Sequence, residues 1–288
     1  MNTWTTFPFE DAIAVLFDFG GVSRELLASK NSVTDLDQVW KKLHIRLLMC
    51  DIDEMLRHWV PDVAAVEALA SQWEQGAQHV TAGTHAPLRA NAHLFLAIQQ
   101  ELVRTQARAA AINCHAMPQH ALHLPCVAMV ELHRTGVLVA CEMDLNGLLS
   151  SMLLTHLAGR PAFMGNVIPR SDDTVDIEHC VAPPDMLPDL GAYAFEGYHG
   201  TTDHATVVIA LPDHGMVTLA RIAPDLERVH CVVGQIVGPH HTGSCRNSLT
   251  VRIPSCQAFL EEKLDCHYAL VCGDVSTPLS HRGMPRVL

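Results

Sequence analysis

A chain of 288 residues, 49% hydrophobic and only 17% charged, can bury one large core or two smaller ones, which excludes a disordered protein. Its formal net charge of -12 argues against nucleic acid or an anionic membrane as the main partner, because neither attracts an acidic surface. That charge suits a divalent cation, although a solvated acidic surface gives the same balance. No apolar run approaches the ~18–20 residues of a membrane span. Met1-Asn2-Thr3-Trp4 opens no signal segment either, so the expectation is a cytoplasmic protein. Ten cysteines are scattered without a CxxC pair and read as buried, reduced thiols.

In chain order, residues 12–17 form a candidate strand leading to Asp18-Phe19-Gly20-Gly21. That turn lacks the GxGxxG fingerprint and receives no cofactor role. Residues 22–29 read as the start of a helix, Asp35 to Leu43 as a helix, and His44 to Cys50 as the next strand. Residues 52–78 read as two helices, the second starting at Pro61. Residues 87–106 carry Leu94, Phe95, Ile98, Leu102 and Val103 at helical spacing, and Ala109 to Asn113 form a strand. The loop after it holds His115, His120 and His123, and residues 126–133 read as a helix.

Val137 to Ala140 is an apolar strand that ends at Cys141, Glu142 and Asp144. Acidic side chains are costly to bury at such a strand end, where open α/β sheets place their chemistry, so this edge is the candidate active site. A helix follows on Leu148, Leu149, Met152, Leu153 and Leu157, stopping at Gly159. Ala162-Phe163-Met164 then reads as a strand returning parallel to the same edge, which would set Asn166 beside Glu142. Beyond it come short strands at 174–180, 206–211, 216–222, 229–237, 249–253 and 268–272, separated by Gly/Pro turns. The expected architecture is α/β. Residues 1–170 form a doubly wound, Rossmann-like α/β domain, and residues 171–288 form a β-rich, barrel-like domain, with the boundary in the loop Pro169 to Val175.

The run ACEMDLNGLL…GRPAFMGN is followed in order by IEHC at 177–180, VTLARI at 217–222, GSCRN at 243–247, TVRI at 250–253 and CHYALVCGD at 266–274. This series resembles the C-terminal half of the L-fucose isomerase family and, more distantly, L-arabinose isomerase. The resemblance implies a metal-dependent aldose-ketose isomerase, in which a divalent cation holds two sugar oxygens and carboxylates carry a proton between adjacent carbons. Mn2+ suits such a mixed donor set, with Mg2+ or Co2+ as substitutes.

By that resemblance Glu142 is metal ligand and acid/base group, His267 is the C-terminal metal ligand, and His179 lines the metal site. Asn166 stands where these isomerases carry an acidic ligand. An amide offers a carbonyl oxygen but no titratable proton, which removes one half of a two-carboxylate mechanism. Asp144 supplies the missing carboxylate or orients Asn146. Asp172, Asp173, Asp176 and Glu178 offer further carboxylates or form a solvated loop.

Asn146, His115, Arg246 and Asn247 are the candidate sugar contacts, with a loop or surface turn as the alternative for the last three. Family members carry a further α/β domain before the matching region, so the resemblance also implies a homo-oligomer or a separately encoded N-terminal half to complete the site. The contrasting expectation is a non-catalytic carbohydrate-binding or regulatory homologue that has lost the second acid.

Overall fold

A computed structural model describes residues 11–20, 27, 31–186, 192–240, 244–277 and 286–287. The helix expected at 22–29 lies outside the described residues apart from Leu27, and so does Gly243 of the GSCRN turn.

The chain is an α/β protein built on a parallel sheet and a closed barrel. Strand β1 (Ile13–Asp18) buries Ala14 to Phe17 completely, the pattern of a strand covered on both faces. After helix α1 (Asp37–Leu43), strand β2 (Arg46–Asp51) pairs parallel to β1. Helices α2 (Ile52–His58) and α3 (Val63–Gly76) follow, and Asp62, not Pro61, caps α3 by accepting the Ala65 amide. A two-residue strand β3 (His79–Val80) precedes the long helix α4 (His85–Thr105). Strand β4 (Ala109–Ile112), helix α5 (Cys126–Arg134) and strand β5 (Leu138–Ala140) complete a four-stranded parallel sheet in the order β2-β1-β4-β5.

Helix α6 (Leu145–Ala158) joins this sheet to the barrel. Residues 145–154 are buried on every side, so the helix is enclosed rather than amphipathic. Gly147 permits this closeness, because a Cβ there would lie 2.6 Å from Met164 Sδ. Strand β6 (Phe163–Pro169) corrects the expected parallel return. It pairs antiparallel with β7 (Thr174–His179) and with β13 (His267–Cys272) and joins the barrel, not the parallel sheet. The loop Pro169 to Val175, expected to separate two domains, is a hairpin turn between neighbouring barrel strands.

Strands β8 (Tyr193–Gly197) and β9 (Ala205–Ile209) form a small sheet with β3. Strands β10 (Gly215–Ile222), β11 (Val229–Pro239) and β12 (Asn247–Arg252), helix α7 (Cys256–Glu262) and then β13 follow. The order β10-β13-β6-β7-β12-β11 closes through β10–β11 pairing into a six-stranded antiparallel barrel. A short strand β14 (Arg286–Val287) runs parallel to β11 outside it.

Alternation sorts the barrel strands. Val217, Leu219, Tyr268 and Leu270 belong to the core that holds Phe163 and Ile177, whereas Ala220, Ile222, Ala269 and Val271 join α6 in the core of the parallel sheet. The outer face of β10 and β13 is therefore an internal surface, and the carboxyl edge of the sheet abuts the barrel.

Two buried histidines make the fold acid-sensitive. Burial pushes His133 on α5 and His230 on β11 down to about 4. The unfolded chain takes up these protons near pH 6.5 while the folded one refuses them, so their stabilising contribution is complete above about pH 6.5 and is lost as pH falls toward 4. For His133 this amounts to about 3 kcal/mol. The urea midpoint at pH 4.5 is expected to fall clearly below that at pH 7, and equal midpoints would contradict the assignment.

Candidate metal centre

Glu142 leaves the end of β5 in a left-handed conformation at φ 58, and Met143 follows at φ 55. Two successive non-glycine residues in this region cost of order 1–3 kcal/mol each, and surrounding bonds must hold them. The Met143 amide donates to Ile112 O at 3.1 Å and the Asp144 amide to Cys141 O at 3.0 Å. The turn brings the Glu142 carboxylate to the barrel. Its Oε1 lies 3.8 Å from His179 Nε2, 3.8 Å from His267 Nε2 and 3.5 Å from His115 Nε2. Glu142→Gly is expected to relax this turn and raise stability by up to about 1 kcal/mol in chelator-treated protein, read by urea denaturation. A loss of stability would show that the turn is unstrained.

The three donors come from one sheet and two barrel strands. His179 ends β7, and His267 begins β13 with Asn166 of β6 directly across from it. Both histidines are buried, with their ring centroids 5.4 Å apart, while His115 is exposed at the mouth. Glu142, His179 and His267 place one donor atom each within 4.8 Å of one another. Burial holds the His179 ring below its ordinary pKa, which keeps it neutral, the form a metal ligand requires.

His267 is the most tightly specified member. Asp144 Oδ2 lies 3.0 Å from its Nδ1. Burial alone would raise the Asp144 pKa, but the Arg221 guanidinium and the His267 ring outweigh it and hold the carboxyl well below the usual range. A carboxylate at this distance accepts a proton from Nδ1, which leaves the lone pair on Nε2. His267 Nε2 is buried and has no hydrogen-bond partner. This unpartnered nitrogen lies 3.8 Å from Glu142 Oε1, an arrangement that a cation between them completes.

Asp144 does not offer a free carboxylate. Its oxygens accept Arg221 Nη1 at 2.7 Å, Arg221 Nη2 at 3.1 Å, the Gly147 amide at 2.9 Å and His267 Nδ1, so it positions His267 and caps α6. Arg221, fully buried on β10, also reaches Asp265 Oδ2 at 3.1 Å and His267 O at 3.1 Å. Sequence reasoning passed over Arg221, although a lone arginine inside the apolar run VTLARI signals a buried cation that needs an anion.

Two expected sugar contacts are corrected. Asn146 is fully buried, its Oδ1 accepting Ser32 Oγ and the Val33 amide and its Nδ2 donating to Ile222 O and Ala223 O. All four of its hydrogen-bonding positions are used, so nothing remains for a substrate. Asn247 is buried as well and bonds the Ile209 amide, Val207 O and Cys180 O. Arg246 lies half-buried by the turn after β8, with Nε 3.3 Å from Gly197 O and 3.4 Å from Glu196 Oε2.

Asp172 and Asp173 lie in the β6–β7 hairpin, where Asp173 pairs with Arg252 at 3.1 Å. Asp176 is buried and accepts Thr250 Oγ1 at 2.7 Å. Glu178 lies opposite Asn166 on the neighbouring strand.

No family model matches this chain, and no curated protein matches it. No helix among the described residues is long and apolar enough to cross a membrane.

Proposed function

We propose that Glu142, His179 and His267 bind one divalent cation, and that the protein is a metal-dependent aldose-ketose isomerase of the L-fucose/L-arabinose isomerase type acting on a sugar. The observation that carries the metal is the buried, unpartnered Nε2 of His267, fixed as a lone pair by Asp144 and turned toward Glu142. The sugar chemistry rests on the ordered series of motifs that places Glu142 and His267 at the family's ligand positions. Two ring nitrogens among three donors favour a transition ion such as Mn2+ or Co2+ over Mg2+, which prefers oxygen.

Such an ion, when bound, polarises the substrate oxygens and offsets the negative charge that develops on them during proton transfer. Glu142 takes a proton from one carbon and returns it to its neighbour. His115, exposed at the mouth, meets the substrate hydroxyls as it enters, and Asn166 lends an amide beside His267. Asp144 and Arg221 keep the His267 ring in place. We read the order β2-β1-β4-β5, which reverses direction between β1 and β4, as a doubly wound, Rossmann-like unit that binds its ligand outside the carboxyl ends of its strands. The same reading gives a cytoplasmic homo-oligomer, or a chain paired with a separately encoded domain that covers the sugar.

Asn166 favours a second reading, a carbohydrate-binding homologue without turnover, because one carboxylate alone must then move the proton. The deciding experiment incubates the Mn2+-loaded protein with a panel of aldoses and reads ketose formation by NMR. Metal-dependent ketose supports the isomerase. Bound Mn2+ without ketose from any aldose leaves the binding protein.

A further inference from the structure

Cys180, His199 and Cys245 come from three separate segments, namely the bend just after β7, the turn after β8 and the loop before β12. Their donor atoms lie within 4.8 Å of one another. Cys245 Sγ is 3.7 Å from His199 Nε2. The isomerase reading uses none of them.

Each position is held by its own local structure. Cys180 is buried, and its carbonyl accepts Thr206 Oγ1 at 2.7 Å. His199 sits in a left-handed conformation at φ 49, on a turn that requires Gly197, since a Cβ there would lie 1.6 Å from Thr201 O. Its ring stacks on Tyr198 with centroids 3.9 Å apart, which fixes its plane while leaving it exposed.

An independent buried group points the same way. Glu178 is 6% exposed, and Ser244 Oγ donates to its Oε1 at 3.0 Å while its Oε2 has no hydrogen-bond partner. It lies on β7 two residues before Cys180, its partner Ser244 is the neighbour of Cys245, and it acts electrostatically on His199.

We propose that Cys180, Cys245 and His199 form a Zn2+ site, with Glu178 as the carboxylate beside its open position. Two thiolates and an imidazole are a borderline-soft donor set, which suits Zn2+ and does not suit Mg2+ or Mn2+. The two thiols distinguish this group from Glu142, His179 and His267, which contain no sulfur donor. The two groups are mechanically linked, because His179 and Cys180 are consecutive and a zinc ion would fix the strand end that carries His179.

Co2+ serves as the probe, added to the reduced, metal-stripped intact chain. Thiolate ligation produces a sulfur-to-cobalt charge-transfer absorption that carboxylate and imidazole ligands alone cannot give. The expected result is a saturable band that Zn2+ abolishes by displacement, that Glu142→Gln retains and that Cys245→Ser loses. His199→Asn, a residue that tolerates the left-handed turn, is expected to shift the band, which keeps the test decisive where a cysteine variant fails to fold. Absence of the band in the wild type, its persistence in Cys245→Ser, an unchanged band in His199→Asn, or a Cys180–Cys245 disulfide in protein purified under reducing conditions overturns the proposal.

Discussion

Arg221→Met is expected to destabilise the protein by about 3–5 kcal/mol at neutral pH, because it strands the buried Asp144 carboxylate without its cation. Both side chains are 0% exposed, so water cannot replace the lost partner. Native proteins are stable by only ~5–15 kcal/mol, and a loss of this size therefore removes a large share of the total. The penalty should shrink in acid, where the stranded carboxyl takes up a proton. Adding Asp144→Asn to Arg221→Met should recover most of the loss, since the residues are in direct contact and their effects are not additive. Urea denaturation of the two single variants and the double variant measures the coupling. A loss below about 1 kcal/mol in Arg221→Met would mean that the pair contributes no more than an exposed ion pair.

On the proposed isomerase reading, Glu142→Gln is expected to cut turnover by roughly a hundred- to ten-thousand-fold, the usual worth of a positioned acid/base group. The change keeps the size of the side chain but removes both its titratable proton and its charge. Asn166, across from His267, is an amide and cannot carry the proton in its place, so the loss should appear in kcat more than in KM. A variant that keeps wild-type kcat would exclude Glu142 as the proton carrier.

Several elements were legible from pattern alone. The β5 run, the apolar spacing of α6 and its stop at Gly159 announced themselves, because helix and strand periods and a left-handed C-cap leave local marks. The partners of β6 were not legible. A short apolar run names no sheet, and only the antiparallel register with His267 and Glu178 reveals that it is a barrel strand. Strand β8 was missed for the same reason, its alternation being short and mixed.

The site shows the same limit. Asn146 and Asn247 resemble substrate contacts in sequence, because an asparagine saturated by backbone groups carries the same letter as one facing a ligand. Cys180, His199 and Cys245 gave no signal, since no short spacing links ligands that tertiary folding alone assembles. His179 and His267 stood out from the other histidines only through the motif resemblance.

The central claim is that Glu142, His179 and His267 hold one metal ion. Its most direct test is the metal content, by mass spectrometry, of protein loaded with Mn2+ and freed of excess, run beside His267→Ala and Cys245→Ser. Near-stoichiometric Mn2+ in the wild type and in Cys245→Ser, and its loss in His267→Ala, is the predicted result. A wild type that stays metal-free at millimolar Mn2+ would contradict the account.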